Sequence, residues 1–543
     1  MNPKTIVVVG GVAGGMNFAT RYRRLNLHDH IIIFEKGPYV SFANCGLPYY
    51  MSGEIPSRTR LLVVKEKDLI KRFRLDIRTH SEVVSILPEQ KTITYQKDGK
   101  LLTQTYDELV LSPGAKPIIP PINGIEKIPT FTLRNIPNLD AIMTEIETNQ
   151  AKHVAIVGAG YIGLEVAENL HRKGLQVSVI EKAPTIMPVF DPEISAFAKE
   201  TIFNQGIKVF TNDEIVEVQT KQVTLKSGVQ LQADFLILAV GVLPDTGFLK
   251  RANLSLGLKG GILVNHQYQT SIPHIYAVGD AILVNHQVSQ TEALVPLASP
   301  ANRQGRQLAD ILSGLPTQNI GSIGTAIVRL FNLTLASTGL NERQLQGKHY
   351  QVLHVRGNDH ASYFPGATPI DLKIIYDKDT HHILGAQAVG QKGIDKRIDI
   401  IATAIKGNMK VEALQELELT YAPPFGSAKD IINMAGYYAQ NLQLGLTDTV
   451  QWYDVDNLKT KVKFLDVRTT MERLAYGHFQ DDIHIDLDEL YDQAPTLDKQ
   501  QPYVVYCDTG SKAYLAERIL KQLGYQVSQL DGGYNIYTKG EGK

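Results

Sequence analysis

One arrangement of residues occurs twice in the 543-residue chain, and it restricts the fold more than any other feature. Residues 5–25, TIVVVGGVAGGMNFATRYRRL, and residues 153–174, HVAIVGAGYIGLEVAENLHRKG, each join a short apolar strand, a glycine-rich turn and an amphipathic helix. A second apolar strand then ends in an acid, Glu35 in IIIFEK and Glu181 in VSVIEK. This pattern predicts an α/β protein with two Rossmann-like domains.

The repeated pattern is typical of dinucleotide binding. Glycines let the backbone approach a pyrophosphate, a helix N-terminus offers unpaired N–H groups, and the acid accepts hydrogen bonds from ribose hydroxyls. One copy alone is weak evidence, since tight strand–helix turns also occur without a ligand, but two copies with two acids favour a pair of nucleotides. The predicted contacts are Gly10, Val12, Ala13, Gly14, Gly15, Glu35 and Lys36 in the first copy, and Gly158, Gly160, Tyr161, Ile162, Gly163 and Glu181 in the second.

Three later segments predict that the first nucleotide is FAD. Residues 106–117 and 233–245 each end a strand on glycine, and 270–282 place Asp280 after a strand, where a carboxylate can hold the ribityl chain. Residues 295–312 predict a helix whose N-terminus would stabilise the reduced flavin. The further predicted FAD contacts are Val83, Ser112, Gly114, Asp280, Pro296, Leu297 and Ala298; Gly241 is assigned to the second nucleotide.

Over residues 1–445 the chain resembles the pyridine nucleotide–disulfide oxidoreductases. The resemblance implies FAD in the first domain, NAD(P)H in the second, and a third, α+β domain that closes a homodimer. Glu181 favours NADH because a carboxylate repels the 2′-phosphate of NADPH. The neighbouring Lys182 leaves NADPH open.

The segment SFANCGLPYY, residues 41–50, contains Cys45, one of two cysteines in the chain. The two-cysteine members of the family have a second cysteine where Tyr50 stands, so an internal disulfide is excluded here. Three roles stay open for Cys45: pairing with an outside thiol, forming a sulfenate, or serving as an inert buried residue. A loop that runs into a helix start predicts a thiol pKa below the free value of about 8.5.

The same segment resembles that of the coenzyme A-disulfide reductases, which implies a resting mixed disulfide between Cys45 and CoA. The basic stretches RYRR (21–24) and KRFR (71–74) would supply cations for the CoA phosphates, although each also suits a solvated helix face. The resemblance implies that Tyr363 and Tyr421 of the partner subunit lie near the cysteine; the alternative is simple packing at a dimer interface. The implied CoA contacts are Asn17, Arg21, Arg24, Ser41, Phe42, Asn44, Arg74, Asn302 (where a related reductase has His), Arg306 and Lys429.

The tail from about residue 446 resembles a rhodanese, with LDVR, GHF, a strand ending in Cys507, and DGGY in order. The loop CDTGSK predicts an anion nest that stabilises a thiolate or persulfide. Lys512 stands where rhodaneses commonly have Arg, and Asp508 adds negative charge, so a persulfide donor is favoured over thiosulfate. A catalytically inactive docking domain is the alternative.

The expected domains are 1–118 with 248–325 (FAD), 119–247 (NAD(P)H), 326–445 (dimerisation) and 446–543 (rhodanese-like). A net charge of −1 gives no general attraction to nucleic acid or membrane. The longest apolar run, residues 235–243, is far shorter than the roughly 20 residues of a membrane span. With two cysteines and no disulfide framework, we expect a soluble cytoplasmic protein without a metal.

These features together predict an FAD-dependent, NADH-driven reductase of CoA persulfide, CoA disulfide and polysulfide, in which Cys507 relays sulfane sulfur to CoA. The choice among the three substrates stays open. One alternative is an NADH oxidase or peroxidase that acts through a Cys45 sulfenate. The other is a sulfur-sensing or sulfur-docking protein.

Overall fold

The computed structural model describes residues 3–542, which form two compact units. The first unit contains the residues up to Pro184 together with Ile207–Gly324, and the second contains Thr185–Gly206 and the residues from Thr325 onwards. The helices are α1 Ala13–Leu25, α2 Leu47–Met51, α3 Glu66–Phe73, α4 Ile136–Glu147, α5 Tyr161–Arg172, α6 Pro192–Asn204, α7 Ala298–Leu312, α8 Ile394–Lys406, α9 Ile431–Gln443, α10 Val455–Leu458, α11 Thr470–Tyr476, α12 Leu490–Gln493, α13 Ser511–Gln522 and α14 Gly533–Glu541.

Two five-stranded parallel sheets form the centre of the first unit. Both repeated sequences supply a central strand, as their continuous β-branched residues predict for strands buried on both faces. In spatial order the first sheet is Ile275–Ala277, Glu108–Leu111, Thr5–Val9, His30–Phe34 and Asp76–Arg78. The second is Lys208–Phe210, Gln176–Ile180, His153–Val157, Phe235–Leu238 and Thr130–Phe131.

Smaller antiparallel sheets complete this unit. Their strands are short, and several of them, such as Thr92–Lys97, Gln222–Leu225 and Gln230–Gln232, alternate between more and less buried residues, as expected for sheets with one solvated face. The three-stranded sheets are Glu82–Leu87, Thr92–Lys97, Lys100–Thr105 and Ile215–Gln219, Gln222–Leu225, Gln230–Gln232; the pairs are Ala115–Pro117 with Val242–Pro244 and Val284–His286 with Thr291–Ala293.

The second unit contains one antiparallel sheet and one parallel sheet. Helices α8 and α9 pack their apolar residues on the antiparallel sheet. That sheet has the order Ala326–Leu330, Leu333–Gly339, Ile383–Gly390, Pro369–Asp377, Tyr350–Asn358. The parallel sheet has the order Thr449–Val450, Val527–Leu530, Tyr503–Tyr506, Lys463–Asp466, Ile483–His484.

The predicted fold class is confirmed: both Rossmann-like sheets, the α+β layer and the C-terminal α/β layer are present. The expected domain boundaries stay a prediction. Among the described residues, no helix combines the length and apolar character that crossing a bilayer requires.

Candidate active site

A cavity of about 350 Å³ lies against the first glycine-rich turn and is lined by Gly10, Glu35, Lys36 and Val83. Gly10 has a φ of +98°, and a Cβ there would lie 2.0 Å from the carbonyl oxygen of Ser112, so this turn requires glycine. The carboxylate of Glu35 accepts hydrogen bonds from the N–H groups of Gly11 (3.0 Å) and Gly37 (2.8 Å). The size of the cavity and the groups that line it fit the adenosine end of a dinucleotide.

The helix ends at this site are open toward a ligand. Val12 is the N-cap of α1 and Leu297 that of α7, and neither side chain caps the free N–H groups of its helix. Such ends bind phosphate and stabilise negative charge. Pro296 and Ala298 are exposed beside the start of α7. The residues predicted to hold FAD therefore fit that cofactor.

Asp280, predicted to hold the ribityl chain, forms an ion pair with Arg134 (2.9 Å). Arg134 also stands over the first unit's turn at Gly114, where a Cβ would lie 3.2 Å from its guanidinium. Arg134 was not predicted as a site residue. It precedes the N-cap of α4 and is 146 positions from Asp280, so no local pattern connects the two.

The second glycine-rich turn repeats this geometry. Gly158 has a φ of +104°, and a Cβ at that position would lie 2.5 Å from the carbonyl oxygen of Ala239. Gly160 is the N-cap of α5, followed by Tyr161 and by Ile162, which is exposed. A Cβ at Gly163 would lie 2.0 Å from the carbonyl oxygen of Gly158.

Two acids control the charge beside this second turn. Glu181 accepts hydrogen bonds from the N–H groups of Ala159 (2.7 Å) and Ala183 (2.8 Å). The ammonium of Lys182 lies 2.7 Å from Glu214. Lys182, the cation that could favour NADPH, is therefore paired with a carboxylate. Gly241 has a φ of +107° and its carbonyl accepts from Ile118.

Cys45 is exposed and lies in a short 3₁₀ turn, Asn44–Gly46, ahead of the five-residue helix α2. Desolvation of the sulfur and the carboxylate of Glu165 raise the thiol pKa, and Arg134 opposes them. We expected a helix start to lower the pKa of Cys45. This prediction is wrong, because the protein groups around the sulfur together raise its pKa. A helix of five residues has little dipole to offer, and Glu165 on α5 could not be anticipated from the sequence around the cysteine.

The cysteine segment is fastened to α5. Tyr49 donates a hydrogen bond to Glu165 (2.8 Å), and Ser52 donates to Asn169 (2.7 Å). The segment of the lone thiol therefore packs on the helix that follows the second glycine-rich turn.

Several of the CoA candidates come together on α1 and α7. Asn17 donates to Asn302 (2.8 Å), and Arg21 pairs with Asp310 (2.7 Å). Close packing of the two helices explains the contact, since a Cβ at Gly305 would lie 2.2 Å from the carbonyl oxygen of Gly14. The neighbouring Arg306 is exposed on α7.

The remaining first-unit candidates surround Cys45 or end α3. Ser41 has a positive φ of 51°, Phe42 bridges to Leu62, and Asn44 donates to the carbonyl oxygen of Arg134 (3.2 Å). Arg74 is the left-handed C-cap of α3 and is exposed. The guanidinium of Arg24 stacks on Phe73, 5.1 Å from the ring centroid.

One member of the RYRR stretch is not available to a ligand. Arg23 is buried and donates to the carbonyl oxygens of Phe73 (2.8 Å), Asn26 (3.1 Å) and Asp29 (2.8 Å). Its expected part in phosphate binding is wrong. Its neighbour on the helix, Arg24, points about 100° away around the helix axis and is exposed.

The two candidate tyrosines lie in the second unit and contact each other. The hydroxyls of Tyr363 and Tyr421 are 3.0 Å apart, and both residues are exposed. Phe364 and Phe425, which are close to them in the sequence, are also exposed. Lys429 is exposed as well. The four aromatic side chains give the second unit an accessible apolar surface of the kind that partner subunits cover.

Cys507 is buried at the end of the strand Tyr503–Tyr506. Its sulfur accepts a hydrogen bond from the N–H of Gly510 (3.1 Å). Burial raises the thiol pKa, while the N–H groups of Ala513, Thr509, Gly510 and Lys512 act to lower it. The predicted nest is thus present, but burial outweighs it.

A buried polar network below this loop was not predicted. Asp531, in DGGY, is fully buried and accepts hydrogen bonds from the backbone N–H and Nδ1 of His354, from Tyr438 and from Gln451, at 2.8–3.1 Å. Nε2 of His354 lies 3.3 Å from Glu193. These residues are far apart in sequence, so the motif alone could not reveal the network.

Three carboxylates with the spacing of a metal site lie next to this network, Asp191, Glu193 and Glu342. The ammonium of Lys373 is fully buried among them and pairs with all three. Burial would lower the pKa of Lys373, but the carboxylates outweigh it and raise the pKa well above the usual value. The cluster is therefore occupied by a cation of the chain itself.

Three families match the sequence in the order in which the layers occur. Residues 4–305 match pyridine nucleotide-disulphide oxidoreductase, 325–430 the dimerisation domain of the same family, and 449–539 a rhodanese-like domain. The chain belongs to the pyridine nucleotide-disulphide oxidoreductase family. It is a member with its own dimerisation domain and an attached rhodanese-like domain.

Similar proteins narrow this description. A coenzyme A disulfide reductase of Staphylococcus epidermidis is 38% identical over 438 residues, 80% of this chain and 99% of that protein. The reduced CoADR-RHD of Bacillus anthracis is 46% identical, with a TM-score of 0.97 over 99% of this chain and 98% of that one. An NAD-dependent persulfide reductase from A. fulgidus is 32% identical, with a TM-score of 0.92 over 98% and 100%.

Proposed function

We propose that this protein is an FAD-dependent, NADH-driven reductase of CoA persulfide, CoA disulfide and polysulfide. Cys45 alternates between a thiolate and a mixed disulfide with CoA, and Cys507 relays sulfane sulfur. The observation that carries the proposal is the exposed Cys45 with Tyr50 in the place of a second cysteine, in a chain whose other cysteine follows a strand of a rhodanese-like domain. Relatives named coenzyme A disulfide reductase and NAD-dependent persulfide reductase support it.

Exposed cations and amides of the first unit suit the phosphates and the nucleotide of CoA. Arg24 and Arg74 are exposed at the ends of α1 and α3, and such cations bind phosphate groups. The amides of Asn17 and Asn302 add polar groups on α1 and α7. We assign this surface to the nucleotide of CoA and the neighbourhood of Cys45 to its thiol.

The reductive half-reaction breaks the disulfide between Cys45 and CoA. FAD, when bound, would supply the two electrons for this step, which it would receive from NADH as hydride. With these two electrons and one proton, the S–S bond breaks into the thiolate of Cys45 and the thiol of CoA. Arg134 favours the charged form of Cys45, and Glu165 opposes it.

The thiolate of Cys45 then attacks the sulfur of CoA persulfide that is bonded to carbon. The S–S bond of the persulfide breaks, HS⁻ leaves with the electron pair, and the mixed disulfide forms again. The sum is NADH + H⁺ + CoA persulfide giving NAD⁺ + CoA + H₂S. With CoA disulfide the leaving group is a CoA thiolate instead.

The choice of NADH rests on Glu181 and Lys182. Glu181 is held by two backbone N–H groups, and Lys182 is paired with Glu214, so neither offers a free positive charge to a 2′-phosphate. We expect kcat/KM to be higher with NADH than with NADPH, and the Glu214→Gln variant to narrow the difference by releasing Lys182. An unchanged ratio in that variant would show that this ion pair does not set the preference.

The exposed pair Tyr363 and Tyr421 supports a homodimer, as does the dimerisation domain. We assign these hydroxyls to the partner's active site, where a phenol can donate to a leaving thiolate. We also propose that the protein acts in the cytoplasm, because a reducing compartment protects Cys45 and Cys507 from permanent oxidation.

The test compares Cys45→Ser with Cys507→Ser in the full chain. Mass spectrometry of the wild type, denatured without reductant, should find CoA attached to a peptide containing Cys45. The first variant should lose NADH-dependent sulfide release, and the second should keep it with CoA persulfide but lose it with donors that require the relay.

Two results would replace the proposal. Rapid turnover with O₂ or peroxide and no CoA adduct would make the protein an oxidase or peroxidase. Flavin reduction without repeated turnover would make it a sulfur-sensing protein.

A further inference from the structure

The one lysine of the CDTGSK loop is engaged by an acid from another element. The ammonium of Lys512 lies 2.8 and 2.7 Å from the two carboxylate oxygens of Glu472. Glu472 lies in the first turn of α11 and forms a capping box with Thr469, accepting hydrogen bonds from its N–H (2.9 Å) and its hydroxyl (3.0 Å). The position of this carboxylate is therefore fixed by the start of its helix.

Glu472 keeps its negative charge across the physiological range. The hydrogen bond from Lys512, with those of Thr469, lowers the pKa of Glu472 to about 2 despite partial desolvation. Both side chains of the pair are about one-third exposed to solvent.

The other cations that influence this loop also have carboxylate partners. Arg468 is fully buried and pairs with Asp466 (2.7 Å), and Arg356 lies 3.6 Å from Asp371. Both act electrostatically on Asp508, the residue after the cysteine. Each of these three pairings is neutral, and Asp508 adds a carboxylate, so the surroundings of Cys507 lack a net positive charge among the described residues.

We propose that Glu472 is a specificity-determining residue of the Cys507 site, which by neutralising Lys512 rejects dianionic sulfur donors such as thiosulfate and selects persulfides of thiols. The inference rests on the proposed role of Cys507 as a sulfur acceptor and names the donor class of that site. It goes beyond the loop sequence, because the deciding charge belongs to another helix.

The two donor classes place different charges beside Glu472. With a persulfide, the Cys507 thiolate attacks the terminal sulfur, the donor S–S bond breaks, and a thiolate leaves with a single charge at its sulfur. With thiosulfate the same attack expels sulfite, which carries two charges. Because Glu472 cancels the charge of Lys512, the carboxylate of Asp508 is left unbalanced; repulsion between like charges scales with their product, so it penalises the second reaction about twice as strongly.

The test is the Glu472→Gln variant of the full-length protein. Glutamine preserves the capping box, and the change leaves Lys512 as a free cation. We expect kcat/KM for sulfur transfer from thiosulfate to cyanide to rise roughly three- to tenfold. With 2-hydroxyethyl persulfide, a donor with a single negative charge, kcat/KM should change less than about twofold.

Two further variants locate the effect. Glu489→Gln removes an exposed carboxylate of the same domain whose partner is the side chain of Gln493, and it should leave thiosulfate transfer unchanged. Glu472→Gln combined with Lys512→Met should cancel the gain. A gain that persists without the lysine would overturn the proposal, as would a wild type that already uses thiosulfate as well as the Glu472→Gln variant does.

Salt provides a measurement that needs no variant. Screening weakens repulsion, so kcat/KM of the wild type for thiosulfate should increase with ionic strength, more than that for the persulfide. A fall with salt would contradict the inference.

Failure of the underlying function gives a separate result. If 2-hydroxyethyl persulfide adds no sulfur atom to Cys507 by mass spectrometry, the relay itself is wrong. If sulfur is added and thiosulfate transfer is indifferent to Glu472, only the role of Glu472 is wrong.

Discussion

The carboxylate of Asp531, in the rhodanese-like domain, accepts hydrogen bonds from both the backbone N–H (3.1 Å) and Nδ1 (2.8 Å) of His354, in the dimerisation domain. Both residues are buried. Asp531 precedes the turn in which Gly533 approaches the backbone of Cys507, where a Cβ would lie 2.6 Å from the cysteine's carbonyl oxygen. The rhodanese-like domain is thus fixed to its neighbour beside its own cysteine loop.

We expect Asp531→Asn to lower the free energy of unfolding by about 1–3 kcal/mol, since it removes one of the two carboxylates that pair with the buried imidazole of His354 and leaves Glu193 alone to balance its charge. Urea unfolding followed by circular dichroism measures the effect, with Asp488→Asn, an exposed acid of the same domain, as the control. A loss below about 1 kcal/mol would mean that the network is not needed for stability.

The same pair predicts a pH dependence of stability. Burial alone would lower the pKa of His354, but Asp531 and Glu193 raise it to about 9. Because the folded state binds this proton more tightly, the contribution is full below the ordinary pKa of about 6.5 and is lost as pH rises through about 9.

The free energy of unfolding should therefore fall by about 2–3 kcal/mol between pH 6.5 and 9.5 through this group. Urea unfolding at a series of pH values measures the fall. The slope should be much smaller in His354→Gln. Equal slopes in the two proteins would assign the pH dependence to other groups.

Local patterns predicted much of the fold, including the geometry of both glycine-rich turns. The strand, glycine and acid of each repeat lie within about 30 residues, and Glu35 and Glu181 both accept backbone N–H groups of the glycine-rich turns. Arg134 and Asp531 were missed, because their partners are 146 and 177 positions away. The prediction that Arg23 binds phosphate was wrong, because a cluster of arginines in the sequence does not show which face of the helix is buried.

The requirement for glycine at position 10 predicts a loss of flavin in Gly10→Ala. A Cβ would collide with the carbonyl oxygen of Ser112 and displace the turn from the FAD pyrophosphate. We expect the purified variant to contain less than about a tenth of the flavin of the wild type, measured by visible absorbance after denaturation.

Gly99→Ala is the matched control, since Gly99 also has a positive φ, +74°, but open space around it. It should keep its flavin. Full flavin content in Gly10→Ala, with a native circular dichroism spectrum, would remove the first glycine-rich turn from the FAD site.

The charges around Cys45 predict opposite shifts from two variants. Glu165 raises the pKa of the thiol and Arg134 lowers it. Glu165→Gln should therefore lower the pKa of Cys45, and Arg134→Gln should raise it. The pH dependence of iodoacetamide alkylation, in a Cys507→Ser background after reduction and removal of CoA, reports the pKa directly.

The control is Glu126→Gln, which removes an exposed acid that is not among the groups acting on Cys45. Shifts of the same sign in both variants would show that desolvation, rather than these two charges, sets the reactivity of the thiol.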